Sequence, residues 1–384
     1  MSDNKLLDEV FKKSDSLNEM KNEVIEFNNS LLKLAKISNL SANELKKVTN
    51  EAYKLGNSVT KSGSKVIEMI TSFKQAGYNI SDSMRYAKEA LLTTNISATL
   101  NDTEQAASTL ISIMKDFKNE TPDFAKKIND SISAVSGNGI IDYDKLIEGT
   151  LQLSATANQA GMSFEQMLGT LTGVYEILGD MDETVSGQTE IFSRLQGTSL
   201  DGSNISSIPE LQNIFSDSTN GAVNIIDQKT NQLRNVYDIL DDLNSVWNTL
   251  NKSTQNTLAF EVAGIENENV FLALMQNWNG VEKSVNSATN SFGSAEIAND
   301  KYLNSIQGKM EKFQSAFQSL SQHTLDSSIL KGILDFGTVT ISTIDKISAK
   351  IGPLTSLMAG LSVALSTKNL GREKGYPSYQ ICRE

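Results

Sequence analysis

Tyr302, Ile306, Met310, Phe313, Phe317 and Leu320 follow one another at steps of four, four, three, four and three residues. At about 3.6 residues per turn, this spacing keeps all six side chains on one narrow face of a helix, the pattern of a coiled-coil seam. Read from Ser294 to about Ile351, it predicts an amphipathic helix roughly 85 Å long, which would project beyond any domain these residues could form. After a shift of phase the seam resumes through Ile329, Ile333, Phe336, Ile344 and Ile347. Gly308, Gly332 and Gly337 are points where such a rod can bend, and a break near 325–340 is the alternative to continuity.

The same period recurs elsewhere. Leu6, Val10, Leu17, Val24, Phe27, Leu31 and Leu34 predict a helix over 5–36, paired as a hairpin with 42–55. Leu40, Ser41, Glu44 and Leu45 supply the hydrophobic residue, cap, capping-box acid and staple partner that open the second arm. Leu233, Val236, Tyr237, Leu240, Leu243, Val246 and Leu250 predict another helix over 230–250. With four prolines in 384 residues and almost no strand signal, the chain reads as all-α: elongated helical hairpins or a bundle, with a long coiled-coil-like helix near its end.

Two stretches repeat each other at an offset of 84 residues, VIEMITSFKQAGYNISDSM at 66–84 and TLQLSATANQAGMSFEQML at 150–168. In each, an amphipathic helix runs into Gln-Ala-Gly, whose glycine suits a left-handed C-cap. Ser81 or Ser163 then caps the next helix, with Gln166 completing a capping box in the second copy. Thr121-Pro122 reads as a cap followed by an N1 proline, Gly137 and Gly139 as breakers, Asp142 or Tyr143 as a helix start, and Ser207 with Glu210 as another. This punctuation divides the chain into N-terminal amphipathic helices (1–60), a duplicated helical core (61–200), its second part (201–293), the long helix (294–350), and an apolar segment with a short basic tail (351–384).

Residues that carry chemistry are sparse. Against 34 basic residues stand 46 acidic ones, a net charge of −12 that repels nucleic acid, so no sequence-specific nucleic-acid binding is expected. One histidine, His323, has no nucleophile beside it, and one cysteine, Cys382, allows neither an intrachain disulfide nor a thiolate metal site. Asp180, Asp182 and Glu183 lack EF-hand spacing and read as a solvated helix start; Glu266 and Glu268 likewise suit a helix dipole. No phosphate-binding glycine loop is present. The expectation is a protein without catalytic residues, cofactor or metal. Ile351 to Thr367 is an uncharged run of 17 residues, at the lower edge of what spans a bilayer, and transient membrane contact is one reading of it. The charged amino terminus carries no secretion signal, which places synthesis in the cytosol.

Thr257 to Trp278, TLAFEVAGIENENVFLALMQNW, sets a helix-breaking Ala263-Gly264 before an apolar helix containing Phe271, Leu272, Leu274 and Met275. Gly293-Ser294-Ala295 then turns the chain into the long helix with Tyr302, Ser305 and Lys309. That order, together with the two Gln-Ala-Gly units and SGQTEIFSRLQG at 186–197, resembles the core region of phage tail tape measure proteins over roughly residues 45–345. Acidic Glu266, where a basic residue is usual, departs from the pattern, as does Ser-Gly where Ala-Gly is usual. Relatives of that kind commonly run far longer, so a short or truncated prophage copy is expected.

The resemblance implies a scaffold in the lumen of the virion tail, made in the bacterial cytoplasm, around which tube subunits polymerise so that chain length sets tail length. Its implied partners are tail tube and tail assembly chaperone proteins, baseplate or tail tip proteins, and further copies of itself. The packing or partner interface is expected at Phe271, Leu272, Leu274 and Met275, and along Ile306, Met310, Phe313, Phe317 and Leu320. A membrane-perturbing or channel-forming helical protein used in genome ejection, and a soluble coiled-coil adaptor, are the alternatives.

Overall fold

The computed structural model describes residues 25–198, 206–309 and 311–312. The chain divides into two units; the one described almost in full spans Phe27–Ala316, and the other gathers Met1–Glu26 and Phe317–Glu384, nearly all outside the described residues. Among the described residues there is no strand, and the only strand-like feature is an isolated antiparallel bridge between Ile226 and Leu233. The fold is all-α.

Helix α1 covers 25–38. It is followed by α2 (Ala42–Val59), α3 (Gly63–Gln75), α4 (Ile80–Ile96), α5 (Thr103–Asp116), α6 (Pro122–Ser136), α7 (Tyr143–Gln159) and α8 (Phe164–Leu178). Then come α9 (Met181–Leu195), α10 (Ile208–Ser218), α11 (Val236–Trp247), α12 (Lys252–Ala263), α13 (Glu268–Gln276), α14 (Trp278–Thr289) and α15 (Ser294–Asn304).

Side chains three residues or fewer into each helix explain most of the starts. Ser41 and Glu44 form a capping box at α2, Ser163 and Gln166 at α8, and Ser207 and Glu210 at α10. Thr121, Asp142 and Asp180 accept backbone N–H groups at the starts of α6, α7 and α9. Asp182 and Glu183 lie in the first turn of α9, where their charge meets the positive end of the helix.

The near-repeat is a backbone repeat. Ala76, Gly77 and Tyr78 donate to the carbonyls of Ser72, Lys74 and Phe73, and Ala160, Gly161 and Met162 donate to those of Thr156, Asn158 and Ala157, each pair 84 positions apart. Gly77 and Gly161 both have positive φ, at 102° and 76°. The cap in the first copy is Asn79, not Ser81: it accepts the N–H of Asp82 and occupies the position equivalent to Ser163, because both turns spend one residue between the glycine and the cap.

One contiguous core runs from Phe27 to Ala288 across the unit. A chain so rich in Ser and Thr builds it because those hydroxyls bond within their own helix. Buried Thr71, Thr94, Thr170 and Thr172 donate to carbonyls three or four residues back, at 2.7, 2.8, 3.0 and 2.7 Å, so each enters the interior satisfied. Helix α8 lies at the centre, packed against α6, α7, α9, α13 and α14.

Two predicted helices differ in extent. The helix expected from residue 230 begins only at Val236, capped by Asn235, because Asp227 holds the N–H groups of Lys229 and Thr230 in a turn before it. Val236 donates instead to the carbonyl of Ala160 at 3.0 Å, tying this start to the second Gln-Ala-Gly turn. The helix opened at Ser294 stops at Asn304: Ser305 is extended, with φ −68° and ψ 166°, and a new helical segment follows at 306–309.

Candidate functional site

The two segments singled out by sequence, 186–197 and 257–278, meet in space. Gly264, at φ 70° and ψ 178°, occupies a conformation essentially reserved for glycine and ends α12. It also lies against the guanidinium of Arg194, where a Cβ would stand 2.9 Å from a terminal nitrogen. Arg194 is buried and paired with Glu190 at 2.6 Å. On the same helix as Arg194, Gly187 receives Val270 of α13: a Cβ there would lie 2.4 Å from a valine methyl. Gln188 donates to the carbonyl of Thr170 on α8 at 3.0 Å. Gly187 in α9 and Gly264 at the end of α12 therefore let α13 and α12 pack closely against α9.

Within α13, Phe271, Leu274 and Met275 are buried and Leu272 is packed against the core at partial exposure. Phe271 meets Trp247 of α11 edge to face, with ring centroids 5.4 Å apart. These side chains pack inside the unit. Ile306 points the other way, at 72 % exposure. Met310, Phe313, Phe317 and Leu320 lie outside the described residues, as do His323, Cys382 and the apolar run 351–367.

A polar network missed by periodicity fixes α15 to the core. Asp130 of α6 is buried and accepts the N–H groups of Gly293 at 3.1 Å and Ala295 at 2.9 Å, capping α15 from another helix. Lys126 bridges Asp130 at 3.0 Å and Glu296 at 2.7 Å, and Lys88 reaches Glu296 at 3.6 Å. Burial works against the charge on both Lys126 and Glu296, but their mutual hydrogen bonds prevail, holding the lysine above and the carboxyl below its ordinary value. Farther along α15, Asn299 accepts from Asn95 of α4 at 2.8 Å. Only the Lys126–Asp130 spacing of four was visible in sequence; the other partners are far apart along the chain.

Beyond the break at Ser305, Glu311 reaches Lys61 at 2.8 Å and also accepts from the Tyr302 hydroxyl. A cavity of about 410 Å³ surrounds this pair, lined also by Lys65, Asn95 and Gln307. A second hollow of about 590 Å³ lies between α5 and α7, lined by Leu100, Thr109, Ile147 and Leu151 with Asp142, Asp144 and Glu148 beside them. Asp144 spends its carboxylate on the loop after α4, accepting from Ala98 N at 3.0 Å and Thr99 Oγ1 at 3.0 Å. Among the described residues no group of three or more His, Cys, Asp or Glu side chains is placed to hold a metal, and no helix is long and apolar enough to cross a membrane.

Large exposed apolar side chains include Phe260 (50 %) and Ile265 (79 %) around the end of α12, and Phe292 (89 %) with Ile297 (61 %) around the start of α15. Lys126 stands over the Phe292 ring at 5.2 Å. What the unit offers is helical packing surfaces and buried ion pairs, the equipment of a structural part.

Comparison with known proteins agrees with that character. No solved structure matches the chain. A family described as phage-related minor tail protein matches residues 49–264, from α2 through the glycine that ends α12 and across more than half of the sequence. The chain belongs to the phage-related minor tail protein family.

Proposed function

We propose that this tail protein is the tape measure: a scaffold within the tail tube whose trailing helix sets tube length. One observation carries the reading. A helix-only unit of the minor tail family passes the chain, through an α15 anchored by Asp130, into a sequence spaced as a coiled-coil seam. Copies associate along that seam, and tube subunits, assembly chaperones and tip proteins are the partners. The exposed Phe260, Ile265, Phe292 and Ile297 supply further apolar surface for them.

Fully helical, 384 residues would measure about 580 Å. Residues 27–316 fold into a compact unit, so the ruling length resides in sequence after it. The experiment is electron microscopy of tails assembled with alleles lengthened or shortened by four heptads within 317–350. Tails are expected to change by about 42 Å per such step, at about 1.5 Å per residue. Unchanged tail length would remove the measuring role while leaving the family assignment intact. Association along the seam is tested by Phe313→Asp with Phe317→Asp, which should reduce the mass seen by light scattering to that of one chain. Liposome flotation of the full chain beside one ending at Lys350 tests the membrane alternative, and equal recovery removes it.

A further inference from the structure

We propose that Ser305 is a switch point at which the chain selects between a folded-back and a continuous helix. This rests on the geometry around Ser305 and stands apart from the length-setting reading.

The observed state is folded back. Ser305 ends α15 by donating to the Tyr302 carbonyl at 2.9 Å, and at the same time starts the next segment. Its hydroxyl accepts the N–H of Gly308 at 3.0 Å, and its carbonyl that of Lys309 at 3.1 Å. The returning segment delivers Glu311 to Lys61, whose side chain is 7 % exposed and whose ammonium lies 5.4 Å from the Tyr302 ring centroid. A part-buried ion pair whose ends are 250 residues apart therefore latches the corner shut.

Two features of the same residues point to a second arrangement. The steps Tyr302, Ile306, Met310 and Phe313 keep one face only if the helix runs straight through Ser305, yet in the folded-back state Ile306 is 72 % exposed. Gly308 shows the converse. A Cβ at 308 would lie 2.2 Å from the Tyr302 carbonyl oxygen and 2.8 Å from Leu303 Cα, so the corner closes only around glycine. In an uninterrupted helix glycine is the poorest choice apart from proline. The chain thus carries a local device for the corner and a longer-range pattern for the rod. An element with two packings of similar energy is the physical basis of a switch. Straightening releases Glu311 from Lys61 and restores the helical bonds missing at Ser305, placing residue 312 roughly 12 Å beyond Asn304.

The test uses the full chain with Cys382→Ser and spin labels at Ser58→Cys, three residues before Lys61, and Lys312→Cys, both exposed positions. The unsubstituted corner is expected to give mainly the shorter label separation by pulsed electron paramagnetic resonance. Gly308→Ala should move the distribution to distances longer by on the order of 10 Å. Ile306→Pro should abolish any longer population: proline suits the first position of the new segment, with extended Ser305 before it, and cannot sit inside a continuous helix. Glu311→Gln, which leaves the backbone untouched, should give an intermediate shift and serves if the alanine variant does not fold. A short separation retained in Gly308→Ala and Glu311→Gln alike would overturn the proposal.

Discussion

Asp130 in the middle of α6 accepts the N–H of Ala295 at 2.9 Å, so a carboxylate 165 residues upstream caps the helix that leads out of the core. Its side chain is buried and also holds Lys126 at 3.0 Å. Asp130→Ala strands two backbone donors and leaves Lys126 paired with Glu296 alone. It is expected to cost about 2–4 kcal/mol, and Asp130→Asn less, because the amide oxygen still accepts. Urea midpoints at fixed slope check both, and a midpoint unchanged in Asp130→Ala would refute the cap.

Gly169 and Gly173 of α8 face α14 at contact distance. A Cβ on Gly169 would lie 2.3 Å from a Val285 methyl and 2.9 Å from the Val281 carbonyl oxygen, and one on Gly173 would lie 2.4 Å from a Val281 methyl. Alanine gains up to about 1 kcal/mol of helix propensity, but overpacking costs about 1–3 kcal/mol, and in this close approach the clash wins. Each Gly→Ala variant should therefore melt lower, and Val285→Ala should partly rescue Gly169→Ala in a double-mutant cycle. Additive losses would count against direct contact.

Phe271 distinguishes a core role from a docking role. It is fully buried against Trp247, so Phe271→Ala should destabilise the unit by about 3–5 kcal/mol and change tryptophan emission. The mass by light scattering, measured where the variant is still folded, should be unaltered. A variant of normal stability that loses partners would place Phe271 at an interface instead.

Acid should weaken the fold through three lysine-paired carboxylates. Burial alone would raise Glu165, Glu296 and Glu311, but hydrogen bonds with Lys127, Lys126 and Lys61 hold each below the ordinary 4.5. A carboxyl depressed by folding contributes fully above its unfolded value and loses that contribution as pH falls through the lower folded one. Unfolding free energy should therefore decline as pH drops below about 4.5, more gently in Glu296→Gln.

Glu89 has the opposite sign. Burial raises its pKa against the pull of Lys88 and Lys126, and one carboxylate oxygen has no hydrogen-bond partner. Its ionised form costs stability at neutral pH, and that cost disappears as pH falls through the raised value. Glu89→Gln is expected to stabilise the protein at pH 7 by about 1 kcal/mol, with the gain vanishing once the native carboxyl is protonated. A loss of stability at neutral pH would show that the charge is needed.

The sequence by itself determined the helices and most of their ends. A cap such as Ser163 with Gln166, or a proline such as Pro122, acts on backbone within three residues, so its effect is complete before any tertiary contact forms. Gly77 and Gly161 were legible for the same reason, since positive φ is a property of the residue and its own turn. Tertiary structure decided which apolar face is interior, as with Phe271 against Trp247, and which glycine admits a neighbour, as with Gly187 under Val270. It also moved the start of α11 to Val236 and the end of α15 to Asn304. Each outcome joins a local turn, at Asp227 for the first and at Ser305 with Gly308 for the second, to a group far away in the chain, Ala160 for the first and Lys61 through Glu311 for the second. Periodicity reports only that a side chain prefers to leave water; the energy of a particular partner exists only once folding has brought the two together.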